Sequence, residues 1–216
     1  MRVAELSRRT GVSVASIKYY LREGLLPPGE RTSPNQARYG EEHVRRLRLV
    51  RALIDVGGLS VAGTRDVLAA VDADEVSLHH VLGTTQDALL GEPAVTDDDA
   101  TDRAGKLVDD LVARRGWHVV PSNPGRRAAV EILATSERLG TDVLARLLDT
   151  YAETLEPLAR REVGAVVGRG DREDVVEGAV LGTVLGAGLI AALRTMVHES
   201  ASAELASGPA VSAEDG

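Results

Sequence analysis

Apolar residues in the first third of the chain recur at helical spacing in short blocks, and each block is closed by a glycine or a proline. Val3 and Leu6 mark the inner face of a helix over about 3–10, and Gly11, which takes a positive φ at no steric cost, closes it. Ser13 is a good N-cap for a second helix, where Ile17, Tyr20 and Leu21 fall at i, i+3 and i+4 and so share a face. Gly24 ends that helix, and Pro27-Pro28 cannot continue it. Residues 29–40 are rich in Gly, Pro, Ser, Thr and Asn and predict a tight loop or small hairpin. Glu41-Glu42 open a third helix, with acids well placed at its N-terminus, and Val44, Leu47, Val50 and Ile54 carry the period to about residue 56. Gly57-Gly58 break it, and Ser60 caps a fourth helix over about 61–71.

Beyond this block the pattern is longer and looser. Residues 72–90 predict a weaker helix interrupted by Gly83, and 91–99 a linker. Thr96, before three aspartates, is expected to cap a helix reaching about Arg115. An irregular connection over 116–124 precedes three helices at about 125–139, 141–167 and 171–199, with Pro157 inside the second. The Ala/Ser/Gly-rich tail from Ser200 is expected to fray. Period-2 alternation is convincing only in the hairpin, so the fold class is mainly α. A helix-turn-helix with a small β-hairpin wing is followed by an all-helical C-terminal domain. The organisation implied is a reader over 1–71, a connecting helix and linker over 72–99, a helical dimerisation or effector domain over 100–199, and a flexible tail over 200–216.

Charge divides the chain at the same place. The whole carries a net charge of −8, which taken alone argues against a nucleic-acid partner. Residues 1–71, however, hold 12 Lys and Arg against 7 acids, leaving 13 bases and 26 acids to the rest. A basic head on an acidic body implies that only the head meets phosphates. On the second helix Ser16, Lys18, Tyr19 and Arg22 face outward once Ile17, Tyr20 and Leu21 turn in. Lys18 and Arg22 reach one strip of backbone, Tyr19 offers a hydroxyl to a phosphate oxygen, and small Ala15 and Ser16 let the helix sit deep in a major groove.

These residues resemble the N-terminal domain of the MerR family of transcription regulators. The likeness rests on Glu5-Leu6, Arg9-Thr10-Gly11-Val12-Ser13, Ile17-Lys18-Tyr19-Tyr20 and Glu23-Gly24-Leu25-Leu26-Pro27-Pro28. It continues through Arg31-Thr32, Arg38-Tyr39 and Glu41-Glu42-His43-Val44-Arg45-Arg46-Leu47, and covers about residues 1–71. The resemblance implies a homodimer bound to double-stranded DNA at a near-palindromic operator, distorting a promoter spacer so that RNA polymerase can engage it; a cytoplasmic location is expected because the first residues carry no apolar leader-like run. It places Ser16, Lys18, Tyr19 and Arg22 on the groove or phosphates, and Arg31, Arg38 and Tyr39 on the flanking backbone from the wing. Two departures stand out. Lys18 replaces the usual arginine and loses the bidentate fork. Arg38 is adjacent to Tyr39, whereas the family's wing arginine sits two places before the tyrosine, where this chain has Ala37.

The resemblance says little about the remaining residues, which in helix count are loosely similar to the ligand domains of TetR-type regulators. Gly178, Gly182 and Gly186, spaced by four, mark a candidate seam for close helix packing, between protomers or within the domain. Trp117, His118, Tyr151 and His198 are candidates for lining a pocket for a small organic effector, although the favoured reading of Trp117 alone is a core plug at a helix junction. With no cysteine in the chain, thiolate metal sites and thiol redox sensing are excluded, and neither a metal nor another cofactor is expected. His79-His80 are adjacent and face two sides of a helix, which disfavours a joint metal site. No Gly-Lys-Ser/Thr phosphate loop, His-Glu-x-x-His or Gly-x-Ser-x-Gly occurs, so an enzyme is not expected. The longest uncharged apolar stretch, 178–193, is 16 residues. That is short of the roughly 20 needed to span a bilayer, so no membrane partner is expected. The alternative to a regulated transcription factor is an effector-independent architectural or recombination accessory protein of the excisionase type.

Overall fold

The computed structural model describes residues 1–33, 36–73, 77–91, 96–166 and 172–207. It is mainly helical, with a winged helix-turn-helix followed by an all-helical body, as the patterning implied. Helix α1 (Val3–Thr10) ends at Gly11, whose φ of 71° lets its N–H reach back to the Ser7 carbonyl. Ser13 caps α2 (Val14–Arg22) by accepting the Ser16 N–H at 3.0 Å. The wing is an antiparallel pair, β1 (Glu30–Ser33) and β2 (Gln36–Arg38), in which Glu30 faces Arg38 and Arg31 faces Ala37. Ser60, Ser77, Asp98 and Asn123 cap α4 (Val61–Asp72), α5 (Leu78–Leu90), α6 (Asp99–Arg115) and α7 (Pro124–Arg138).

The body departs from expectation in three places. Asp98, not Thr96, supplies the cap of α6; the Thr96 carbonyl instead accepts the Thr101 hydroxyl at 2.6 Å. Arg138 pairs with the same Asp98 carboxylate and, with the Thr101 N–H, holds it well below the usual carboxylate range. Helix α8 (Val143–Val166) keeps Pro157 inside it as expected, whereas α9 (Arg172–Ser207) continues past Glu199 into the segment expected to fray, as far as Ser207. The span Asp174–Ser207 is long and apolar enough, by length and composition, to cross a membrane, which the 16-residue uncharged stretch had not implied. Its first turns are otherwise engaged: Val176, Ala179, Val180 and Val184 are buried inside the chain's own core.

Three hydrophobic clusters hold the molecule. Leu6, Val12, Ile17, Leu26, Tyr39, Val44 and Leu47 fill the space between α1, α2, the wing and α3 (Glu41–Arg51). Ala100, Ala104, Val108, Val130, Leu133 and Ala134 join α6 to α7, with Leu144 and Leu148 of α8 against them. The cluster between these two crosses the expected boundary at residue 71. Leu25, Leu49, Val50, Leu53, Val67 and Leu68 from the N-terminal block pack with Val81 of α5 and with Val176, Val180 and Val184 of α9. Burying each such side chain contributes about 1.5–3 kcal/mol, so α9 is a structural part of the reader it returns to.

One backbone irregularity accommodates that return. After α3 the helix widens into a π-helical turn (Ala52–Val56), and the Gly57 N–H bonds the Ala52 carbonyl five residues back at 2.9 Å. A Cβ on Gly57 would lie 2.2 Å from Val184 Cγ1 and 2.7 Å from the Leu53 carbonyl oxygen. The expected outcome for Gly57→Ala is a loss of about 1–3 kcal/mol from overpacking, measured by urea denaturation. Val184→Ala in the same chain should recover only part of it, because the backbone contact persists.

Candidate nucleic-acid interface

The exposed face of α2 is built by its neighbours. Ile17 is fully buried and Tyr20 and Leu21 pack partly against the core, which turns Lys18, Tyr19 and Arg22 to solvent. Tyr19 is 36% exposed, and the Arg22 guanidinium lies 5.7 Å from its ring centroid, so the two side chains stack along the helix face. Ser16 sits at the helix start, with its hydroxyl 2.8 Å from that of Ser13 and thus bound into the cap.

The reader's cations fall into two sets. Arg9, Arg46, Arg51 and Arg65 are tied down within the chain. Arg46 donates two bonds to Asp72 at 2.7 and 2.6 Å and a third to the Leu25 carbonyl at 3.0 Å, joining the end of α2 to α3 and α4. Arg65 clamps the Glu23 carbonyl and carboxylate, and Arg51 donates to Asp55 and to the Thr10 carbonyl in the turn. Arg9 grips Glu41 with both terminal nitrogens, and this hydrogen-bonded pairing lowers the Glu41 carboxyl below its usual range. By contrast Arg2, Arg8, Lys18, Arg22, Arg31, Arg38, Arg45 and Arg48 form no ion pair among the described residues, and of these Arg2, Lys18, Arg22 and Arg31 lie on α2, before α1 or on the first wing strand.

Lys18, Arg31 and Arg2 line one open cleft of about 390 Å³ between α2 and the wing, with Ser33, Gln36 and Ala37. Directly opposed strand residues point to one face and successive residues to opposite faces. Arg31 therefore shares the cleft face with Ala37, and Arg38 lies on the other face of the hairpin opposite Glu30. The displaced wing arginine is thus separated from Lys18 and Arg31. Tyr39, expected on the DNA-facing side of the wing, borders this same cleft, but it is only 7% exposed, its ring stands edge-on to His43 at 5.1 Å, and its N–H donates to the Met1 carbonyl. Tyr39 fastens the wing root, and Gly29 leaves room for it, since a Cβ there would lie 2.9 Å from the Tyr39 ring. Arg2 was missed by sequence reasoning, because it precedes the first helix and carries no periodic signal.

The other expected sites are dispersed. Trp117 is half-buried after α6, His118 and His198 are exposed, and Tyr151 on α8 is 36% exposed and accepts a bond from Arg194 at 3.3 Å. None of the four lines a described cavity. A cavity of about 270 Å³ lies instead between α5, α8 and α9, walled by Leu78, Leu82, Val163 and Ile190 with Gln86 and Glu162 at its polar points. Of the three seam glycines, only Gly186 meets a neighbour where a Cβ would stand, the Glu162 carboxylate at 3.4 Å; Gly178 and Gly182 meet nothing within 4 Å among the described residues. Close packing at those two glycines is therefore absent within the described chain.

A winged helix-turn-helix whose recognition helix keeps its cations unpaired defines a DNA-binding regulator, and comparison with known proteins names the family. Residues 1–71 match the family model of the MerR HTH family regulatory proteins. Among curated proteins, the chain is 42% identical over 50 residues to the HTH-type transcriptional regulator ZntR homolog of Haemophilus influenzae, covering 23% of this chain and 37% of that protein. It is 35% identical over 89 residues to heavy metal-dependent transcription regulator 2 of Rhizobium meliloti, covering 38% of this chain and 60% of that one. The chain thus spans between about a third and three fifths of the length of these curated relatives. A full-length likeness comes from the crystal structure of SCO5550 of Streptomyces coelicolor A3(2), described as a transcriptional regulator. It is 40% identical with a TM-score of 0.70, covering 94% of this chain and 97% of that one. The chain belongs to the MerR family and is a DNA-binding transcription regulator, not an enzyme.

The split between tied and free cations can be measured without DNA. Arg46→Ala should cost about 1–2 kcal/mol of stability, because three bonds from a side chain that is 15% exposed are lost. Arg22→Ala should change the melt by less than about 0.5 kcal/mol. Thermal denaturation of both variants checks the contrast.

Proposed function

We propose that the protein acts as a cytoplasmic homodimer on a near-palindromic promoter operator. Residues 1–71 read the DNA, residues 72–99 connect, residues 100–199 form the dimerisation and effector body, and the tail is 200–216. In this reading α2 enters the major groove, with Ser16 at its buried end and Lys18, Tyr19 and Arg22 on groove edges and phosphates. Arg31 and Arg2 hold the backbone where wing and helix meet, and Arg38 reaches phosphates from the outer face of the wing. The observation that carries the reading is the cleft shared by Lys18, Arg31 and Arg2, three cations without a carboxylate partner among the described residues. Binding energy from these contacts untwists and bends the spacer so that RNA polymerase can engage it.

The names of the relatives point to heavy metals, but this chain has no cysteine to supply thiolates. An organic effector fits the composition better. We place it in the apolar cavity between α5, α8 and α9, whose volume is near the lower end of the roughly 300–1,000 Å³ usual for small-molecule sites. That cavity borders the cluster that α9 shares with the reader, so occupancy would be felt at the DNA-binding end.

Fluorescence anisotropy over a salt series tests the interface. Lys18→Ala and Arg31→Ala should each weaken binding and reduce the slope of log K against log salt by about 0.9, the loss of one phosphate contact. Arg9→Ala, whose cation is already paired, should leave the slope unchanged. Equal slopes in all variants would remove the cleft from the interface. For the effector, a thermal-shift screen of the full chain should find an organic compound that raises the midpoint by mass action, with Leu82→Trp abolishing the shift. Absence of any stabilising compound would favour the effector-independent architectural alternative.

A further inference from the structure

The outer face of α9 leaves a run of apolar side chains uncovered. The helix is 36 residues long, and from Ala191 to Ser207 every residue is exposed. At 100° per residue Val176, Val180 and Val184 cover one side, which is the side buried in the reader's cluster. Leu185, Leu189 and Met196 fall on the opposite side, 39%, 59% and 64% exposed, with Leu193 beside them at 50%. Exposed apolar side chains of α8, Leu147, Leu155 and Leu158, extend the strip along the neighbouring helix. A contiguous apolar strip of this extent is rare on a monomer in water.

We infer that this face of the α8–α9 pair is covered by the same face of a second copy, with the two α9 helices antiparallel across a two-fold axis at Leu189. The inference rests on the homodimer reading above and locates its interface. Two observations select a second copy. First, the strip complements its own reverse. Turning it about Leu189 sets Leu185 against Leu193 of the second copy, so apolar side chains meet on both sides of the axis. Second, the area fits. From Gly178 to Ser200 the strip runs about 33 Å, and two helices make it about 20 Å wide. That is on the order of the ~800 Å² per partner of a standard interface.

Because the chain has no cysteine, a single introduced thiol reports the axis directly. Full-length Leu189→Cys, treated with a short bis-maleimide at micromolar concentration, should convert mostly to covalent dimer. Leu139→Cys, 77% exposed elsewhere on the body, should stay at background. Leu189→Glu should raise the dimer dissociation constant by about a hundredfold or more, by facing two buried carboxylates across the axis, with the far-ultraviolet circular dichroism unchanged. A protein that sediments as a dimer without crosslinking at position 189 would overturn this interface and leave the homodimer reading standing. A monomer at all concentrations, alone and with operator DNA, would overturn both. Flotation with phosphatidylcholine–phosphatidylglycerol vesicles, lost in Leu189→Glu, would assign the face to a bilayer and also overturn the inference.

Discussion

Val176, Val180 and Val184 reach across more than a hundred residues of chain to close the core beneath the DNA-reading helices. The surfaces of α3, the π-helical turn, α4 and α5 that receive them are Leu49, Val50, Leu53, Val67, Leu68 and Val81, all nearly or fully buried. Without α9 these side chains would line an open apolar trough. Much else follows from that contact. The π-helical turn and Gly57 give the approach its clearance, Arg46 and Arg65 then lock α2 to α3 and α4, and α2 is held so that its polar face points away from the core.

The reader was legible because its signals are local. Gly11 and Ser13 fix the turn, Gly24 and Pro27 fix the exit, and Ser60 starts the fourth helix; each acts within four residues of itself. The unpaired cations of α2 were legible too, because burial of Ile17 dictates what faces out. The wing was harder. Whether Tyr39 or Arg38 points inward depends on pairing register, and one residue of register reverses the face. The choice of Asp98 over Thr96 was equally undetermined, since both side chains can cap and they lie two residues apart.

The body was legible as helices and little more. Its packing is decided by long-range burial, and the composition of α9 fits a buried core helix, a dimer helix or a membrane span equally well. Gly178, Gly182 and Gly186 look equivalent in sequence, yet Gly186 lies against Glu162, Gly182 borders the cavity between α5, α8 and α9, and Gly178 is half-buried with open space beside it. The scattered aromatics gave no pocket for the same reason: residues far apart in sequence need a shared wall, and Trp117 and Tyr151 do not have one.

The shared cluster also bears on how such a protein can be assembled over evolutionary time. A reader that folds as a free-standing cassette can be joined to any body by a linker. This one cannot, because part of its floor is supplied by the far end of the chain, and Gly57 is shaped to Val184. Exchange of the body would therefore have to carry compensating changes in the reader, and the two halves are bound to drift together as one heritable unit.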